Sequence, residues 1–190
     1  MPKRSHALDL GYIINHAMFQ RNGRSGYVLK PLPLRTAQKE LLTDRTHHFL
    51  DVAIISAQQL PRLKDSSGRE IIHKSVLDPF VEVSVHVPDW TTSEAQPDTP
   101  FSASPTNVSG ATPASIHMHR TSVVKNNGFN PVWEEKFRIP FSCVGGMKEL
   151  IFVRFAVKQG DREDDEPLAI FCASLGSLQP GINTLTSYDH

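Results

Sequence analysis

The chain has 190 residues, with 20 basic and 20 acidic side chains and no formal net charge at pH 7. Balanced charge argues against general nucleic-acid binding, which depends on clustered Lys and Arg, so we expect no nucleic-acid partner. No run reaches the roughly 18 apolar residues of a membrane helix. The two cysteines, Cys143 and Cys172, are too few for a disulfide framework or a four-thiolate zinc site. We therefore expect a cytoplasmic protein.

The N-terminal part of the chain differs in charge from the remainder. Its first 48 residues carry eight basic and three acidic side chains, and the other residues carry 12 basic and 17 acidic ones. Apolar residues at helical spacing predict a helix over Asp9–Phe19, and Tyr27–Lys30 predicts a strand that Pro31 ends. One helix and one strand cannot bury a core, so this part must be completed by another element.

The rest of the chain has the pattern of a β protein. Val81, Val83, Val85 and Val87 alternate with polar residues, which predicts a half-buried strand. Turn residues separate it from other short predicted strands. Several short strands without a long helix between them predict an antiparallel sandwich. The other predicted strands are Phe49–Ser56, Thr121–Lys125, Val132–Ile139, Leu150–Val157 and Leu168–Ala173.

One long segment is unlike a compact fold. Between Pro88 and Pro113, fourteen of 26 residues are Pro, Ser or Thr, and few are large and apolar. Such a segment buries too little surface to offset the entropy lost on ordering. We interpret residues 88–117 as a disordered insertion between two strands.

An acidic segment is the main candidate for metal chemistry. Asp161 to Glu166 has five carboxylates in six positions, without the glycine and glutamate positions of an EF-hand loop. It is either a solvated loop or part of a calcium site, because calcium needs six to eight oxygens. Asp78, Asn126 and Asn127 begin or end predicted strands and could bring further oxygens. The histidine pairs at 47–48 and 117–119 lack a third ligand and are interpreted as ordinary strand or loop residues.

Several motifs resemble one enzyme family. Asn15–Phe19 and Asn22–Pro31 resemble the end of the catalytic barrel of eukaryotic phosphoinositide-specific phospholipase C. Leu50–Pro61, Asp78–Val83 and Thr121–Trp133 resemble its C2 domain. The resemblance implies a mainly β fold, an antiparallel C2-type β-sandwich preceded by the last helix and strand of an incomplete TIM-type barrel. It divides the chain into the end of the barrel (1–35), a linker (36–47) and a C2-like domain (48–190). We expect this domain to lack its final strand and the chain therefore to have low stability.

The resemblance also implies a function. The family hydrolyses phosphatidylinositol 4,5-bisphosphate to diacylglycerol and inositol trisphosphate, but its catalytic histidines, calcium carboxylates and phosphate-binding residues precede the part matched here. We therefore expect a C-terminal portion of such an enzyme, inactive without the remainder of the barrel, from a truncated gene product or an incomplete gene model. The alternatives are a free-standing C2 module that binds calcium and phospholipid, and a non-functional remnant.

The family comparison suggests calcium ligands and a membrane partner. Asp78 and Asp161 fall on family ligand positions, with Asn126 or Asn127 in a neighbouring loop, whereas Gln159 replaces a usual acid. Asp164 or Asp165 could compensate for it; without compensation, the calcium site is weak. Peripheral attachment to an anionic phospholipid membrane could instead use basic residues near the linker, for which ordinary linker charge is the alternative. These residues are Lys30, Arg35, Lys39 and Arg45.

Overall fold

The computed structural model describes residues 10–20, 22–35, 45–61, 77–88, 115–144, 147–160 and 167–186. The described residues form two α-helices, six strands and two single-turn 3₁₀ helices, the latter at Lys148–Leu150 and Leu175–Ser177. The α-helices are α1 (Leu10–Gln20) and α2 (Leu32–Arg35), and the strands are β1 (Arg45–Ser56), β2 (Pro79–Val87), β3 (Ser115–Arg120), β4 (Val132–Val144), β5 (Phe152–Gln159) and β6 (Ala169–Ser174). Neither α-helix has the length and apolarity that crossing a bilayer requires.

The strands form two antiparallel sheets. One sheet has the order β3-β2-β5-β6, and the other pairs β1 with β4. The register places Val83 of β2 between His119 of β3 and Phe155 of β5. The predicted mainly β, antiparallel fold is confirmed.

The core lies between the two sheets. Val81, Val83 and Val85 of β2 are buried, as their alternation with polar residues predicts. The indole N–H of Trp133 donates to the carbonyl of Ser122 at 3.1 Å, which pairs the polar atom of this buried ring. The two sheets therefore bury one apolar layer. Its other buried members include Ile139, Phe141, Cys143, Ile151 and Val153.

Helix α1 packs on the outer face of the four-stranded sheet. Its buried residues Ile13 and Ala17 contact Phe152, Ile170 and Cys172 of β5 and β6. These two helix residues are four apart and therefore lie on one helical face. The predicted helix over Asp9–Phe19 is confirmed to within one residue at each end.

The predicted strand over Tyr27–Lys30 is wrong. This segment belongs to neither sheet, and Tyr27 and Leu29 are 90% and 73% exposed. A strand needs a hydrogen-bonded neighbour, and no described strand lies beside this segment. After Pro31 the chain turns into α2, where the N–H of Leu34 donates to the Pro31 carbonyl at 3.0 Å.

The predicted strand over Thr121–Lys125 is also wrong. On the side of β2 away from β5, the neighbouring strand is β3, which ends at Arg120. At the next residue the N–H of Val81 donates to the hydroxyl of Thr121 at 2.9 Å instead of to a backbone carbonyl. This side chain interrupts the ladder, although Val124 still donates to the Pro79 carbonyl at 3.0 Å.

Two predicted boundaries differ from the structure. Residues 115–117, the end of the predicted insertion, belong to β3, and residues 89–114 lie outside the described residues. Strand β1 begins at Arg45, inside the predicted linker, because it continues through polar residues to the pair Arg45–Val144 with β4. The described residues after Ser177 contain no strand, and Ile182 is 90% exposed. The missing final strand and the remaining boundaries stay predictions.

Candidate functional site

Asp78 connects three loops at one end of the sandwich. It immediately precedes β2, and each of its backbone polar groups bonds to the end of β5. Its N–H donates to the side-chain oxygen of Gln159 at 3.0 Å, and its carbonyl accepts from the N–H of Gly160 at 2.9 Å. Its carboxylate oxygen Oδ1 accepts from the N–H of Asn126 at 2.6 Å. We call Asp78, Asn126, Gln159 and Gly160 the Asp78 cluster.

The loop over residues 126–130 has a fixed conformation. Asn126 lies in the left-handed region with φ of 57°, which asparagine tolerates better than most residues. The amide of Asn127 bonds twice to Asn130, accepting from its N–H at 3.1 Å and donating to its carbonyl at 3.0 Å. The side chain of Asn127 is therefore directed to its own turn rather than to Asp78.

Two glycines allow the loops to approach closely. A Cβ atom on Gly128 would lie 2.4 Å from the Cβ of Leu77, which is buried. A Cβ on Gly160 would lie 3.0 Å from a methyl group of Val123 and 3.2 Å from the Asp78 carbonyl oxygen. Glycine at both positions thus keeps the loops in contact with the residues before β2.

The same end of the molecule exposes an aromatic ring. Phe129 is 70% exposed, and its carbonyl accepts from the N–H of Gln59 at 3.0 Å, which joins its loop to the turn after β1. Lys125, one residue before the Asp78 cluster member Asn126, is exposed as well. An exposed aromatic ring and a cation near one carboxylate form a surface with apolar and charged parts.

The structure brings together the loops that carry three of the four predicted metal ligands, although the Asn127 side chain is directed to its own turn. Asp78, Asn126 and Asn127 lie in adjoining loops, and Asp161 follows Gly160 but lies outside the described residues, as do Asp164 and Asp165. Among the residues that the structure describes, no three His, Cys, Asp or Glu side chains group to hold a metal ion.

By themselves the described residues do not fit a calcium ion. They provide one carboxylate, and the amide oxygens of Gln159 and Asn127 already accept N–H groups of Asp78 and Asn130. Calcium takes six to eight oxygens, several of them from carboxylates. The oxygens that such an ion still lacks would have to come from residues outside the described ranges or from water.

One of the basic residues near the linker, Arg45, lies far from the Asp78 cluster. Arg45 pairs with Val144 at one end of the β1–β4 ribbon, and Ser56 pairs with Val132 at the other end, beside Phe129. A strand of this length spans roughly 36 Å. Lys30 and Arg35 are exposed, and Lys39 lies outside the described residues. The structure therefore separates Arg45 from the Asp78 cluster.

A second polar group lies on the outer face of the four-stranded sheet. Glu82 accepts from Arg154 at 3.2 Å and from Lys158 at 3.0 Å, and all three side chains are mostly buried. Ser84 and His86 are 2.9 Å apart beside them. Burial chiefly lowers the pKa of His86, the nearby Arg154 lowers it further, and Glu82 opposes both effects. One carboxylate thus serves two cations, and the group has the character of a structural network on this face of the sheet.

Neither cysteine is a reactive thiol. Burial is the main reason that the pKa of Cys143 is raised, and burial raises the pKa of Cys172 to about 12. Nucleophilic cysteines need a thiolate, which a raised pKa disfavours. Thiol chemistry is therefore not a candidate activity of these two buried residues.

Two residues of this site were not predicted in their present roles. Sequence reasoning treated Gln159 only as a lost acid and did not predict that its amide would bond to Asp78. Phe129 was recognised within a motif but not as an exposed side chain. Its position between Gly128 and Asn130, away from any alternating apolar run, is the signal that could have predicted its exposure.

Comparison with known proteins identifies the sandwich. The family model described as C2 domain matches residues 48–189. Over 156 residues the chain is 28% identical to 1-phosphatidylinositol 4,5-bisphosphate phosphodiesterase delta-4 of Xenopus laevis, covering 78% of this chain and 16% of that protein. Over 173 residues it is 30% identical to the corresponding eta-2 protein of Mus musculus, covering 88% of this chain and 10% of that protein.

A further relative is named as inactive. The chain is 27% identical over 175 residues to inactive phospholipase C-like protein 2 of Mus musculus, covering 88% of this chain and 13% of that protein. The chain spans less than a fifth of the length of these relatives. The similarity to the eta-2 protein covers more of the chain than residues 48–189, so it includes part of the N-terminal segment. The chain therefore belongs to the C2 domain family, and its resemblance to the C-terminal part of a phosphoinositide phospholipase C is confirmed.

Proposed function

We propose that this chain is the C-terminal portion of a phosphoinositide phospholipase C and that its C2 sandwich attaches the protein to anionic phospholipid surfaces. The names of its relatives support the first part. The observation that carries the second part is that Phe129 and Lys125, four residues apart at the loop end of the sandwich, are both exposed. A cytoplasmic protein bound peripherally to membranes fits this proposal.

The aromatic ring and the cation have separate roles in the proposed attachment. Phe129 can transfer apolar surface from water into the lipid, and burying a whole Phe side chain contributes about 1.5–3 kcal/mol. Lys125 can approach anionic headgroups, with a contribution of about 1 kcal/mol. Binding should therefore be weak, preferring anionic to neutral lipid and weakening as salt increases.

Sedimentation with vesicles tests this proposal. We expect the chain to sediment with phosphatidylserine vesicles and Phe129→Ala to weaken binding about tenfold. Phe49→Ala is the matched control, because Phe49 is 61% exposed but lies on β1, with the Arg138 guanidinium 5.2 Å from its ring. Equal loss in both variants, or no vesicle binding by the unmodified chain, would contradict the proposal.

The chain alone should not hydrolyse phosphatidylinositol 4,5-bisphosphate. The family's catalytic residues precede the part that this chain resembles, and general acid–base catalysis requires such residues within hydrogen-bond reach of the phosphodiester. The expected result is no inositol trisphosphate above a protein-free background in mixed micelles with calcium. Release that scales with protein concentration would overturn this expectation.

Calcium binding at the loop end is a second candidate function. It is supported by the carboxylate of Asp78 and by the acidic segment after Gly160, with Asn126, Asn127 and Asp161 as further proposed ligands. Gln159 brings no charge, so such a site is weak. Vesicle binding that rises with calcium, and that Asp78→Asn abolishes, would favour this candidate.

A free-standing C2 module makes the same prediction for vesicles. Upstream coding sequence for a barrel with a histidine pair in the same transcript would distinguish the enzyme portion from such a module. If the chain is a portion of an enzyme, the remainder of the barrel should be a binding partner of residues 1–35. A transcript without any barrel sequence would favour the free-standing module.

A further inference from the structure

The Asp78 cluster joins its loops through protein hydrogen bonds. Asp78 uses its N–H, its carbonyl and a carboxylate oxygen to bond to Gln159, Gly160 and Asn126 respectively. The carbonyl of Leu77 adds a bond from the N–H of Asn127 at 3.1 Å. The end of β5 and the start of the 126–130 loop are thus both hydrogen-bonded to the residues before β2.

Gln159 is central to this arrangement because of where it lies. It is the last residue of β5 and pairs with Pro79, which has no N–H to offer the ladder. Its side-chain oxygen instead accepts a hydrogen bond from the N–H of Asp78, the residue before Pro79. A neutral amide can accept this bond beside the Asp78 carboxylate without adding a second negative charge.

An acid at position 159 would change the electrostatics of the cluster. Two neighbouring carboxylates repel each other, and the repulsion is stronger near a protein surface than in bulk water. A divalent cation would remove that repulsion, so an acidic pair makes the loop end depend on the ion. With glutamine, the described members of the cluster contain one carboxylate, and its Oδ1 accepts the N–H of Asn126.

We infer that Gln159 takes the place of a divalent cation as the cross-link between these loops, so that docking on anionic lipid does not require calcium. The part about docking rests on the function proposed above. The part about loop order rests on the hydrogen bonds of Asp78 alone. The two parts can therefore fail separately.

Thermal unfolding of the full chain tests the loop order. The unmodified chain should melt at the same temperature in millimolar calcium and in a calcium chelator. The isosteric substitution Gln159→Glu should lower the melting temperature in chelator, and calcium should restore it. Gln159→Leu removes the acceptor of the Asp78 N–H and should lower the melting temperature on the order of 5 °C in both conditions.

A matched control distinguishes an effect of position 159 from a general effect of one added negative charge. Gln58 is exposed in the turn after β1, at the same end of the sandwich. Gln58→Glu adds the same charge there and should leave the melting temperature independent of calcium. A calcium-induced rise for the unmodified chain would overturn the inference, and so would Gln159→Glu melting alike in both conditions.

Vesicle sedimentation completes the test. Binding of the unmodified chain to phosphatidylserine vesicles should be equal in chelator and in calcium, and Gln159→Glu should bind more weakly in chelator. Binding of the unmodified chain that is lost in chelator would overturn the inference while supporting the proposed docking. No binding in either condition would reject the proposed docking, and the melting temperatures would still decide the role of Gln159.

Discussion

At the residue scale, the close packing of Gly128 against Leu77 predicts that no side chain fits at position 128. A Cβ at this position would lie 2.4 Å from the Cβ of the buried Leu77, so neither atom could remain in place. Gly128→Ala should lower the free energy of unfolding by about 1–3 kcal/mol, as overpacking does. Gly26→Ala is the control, because nothing lies within 4 Å of its Cβ position. Urea unfolding of the two variants measures the difference, and equal stabilities would contradict the packing described here.

His86 makes the stability of the chain depend on pH. Burial and the nearby Arg154 lower its pKa in the folded state below the ordinary value of 6.5. As the pH falls below 6.5, His86 takes up a proton in the unfolded chain but not in the folded chain. The free energy of unfolding therefore decreases as the pH falls from 6.5 to the folded-state pKa of His86. Unfolding between pH 7.5 and 5.5 should show decreasing stability, and His86→Gln should reduce the slope. An unchanged slope in the variant would assign the dependence to other groups.

Single residues also show how far the sequence predicts the site. The carboxylate of Asp78 and the 126–127 loop were candidate oxygen donors because both adjoin predicted strands, and in the structure the Asn126 N–H lies 2.6 Å from Oδ1 of Asp78. The bond from Asp78 to Gln159 could not be predicted. It depends on the direction of one side chain at a strand end, and local residue patterns do not specify that direction.

At the scale of elements, the end of β3 depends on Thr121. Its hydroxyl accepts from the N–H of Val81 and donates to the carbonyl of Ser122. Thr121→Val keeps the shape but leaves the buried Val81 N–H without that acceptor, which should cost about 1–3 kcal/mol. Thr121→Ser should restore most of this stability. Hydrogen exchange of the Val81 amide is the measurement, and equal protection in both variants would contradict this account of the strand end.

The same elements show which strands sequence patterns predict well. Alternation predicted β2, and its buried valines lie between the sheets. Tyr27–Lys30 has a strand-like composition but no paired neighbour among the described strands, and three of its four side chains are exposed. Strand formation depends on a partner as well as on the sequence of the strand, so composition alone predicts it incompletely.

At the scale of the whole molecule, Arg45 and the loop end lie at opposite ends of the β1–β4 ribbon. The β1–β4 ribbon runs from Arg45 at one end to Ser56 near Phe129 at the other, roughly 36 Å away. Docking by the loop end therefore leaves the start of β1 away from the lipid. The Asp78 cluster joins the loops at the end that is proposed to dock, and α1 packs on the outer face of the four-stranded sheet.

Fluorescence quenching by brominated lipids tests the docking surface most directly. Phe129→Trp and Phe49→Trp each place an added indole on a known surface, and the unmodified chain gives the background of its own tryptophans. With brominated anionic vesicles in a calcium chelator, Phe129→Trp should be quenched strongly and Phe49→Trp should not. Quenching of Phe49→Trp alone, or of neither variant, would contradict the proposal that the loop end docks on lipid without calcium.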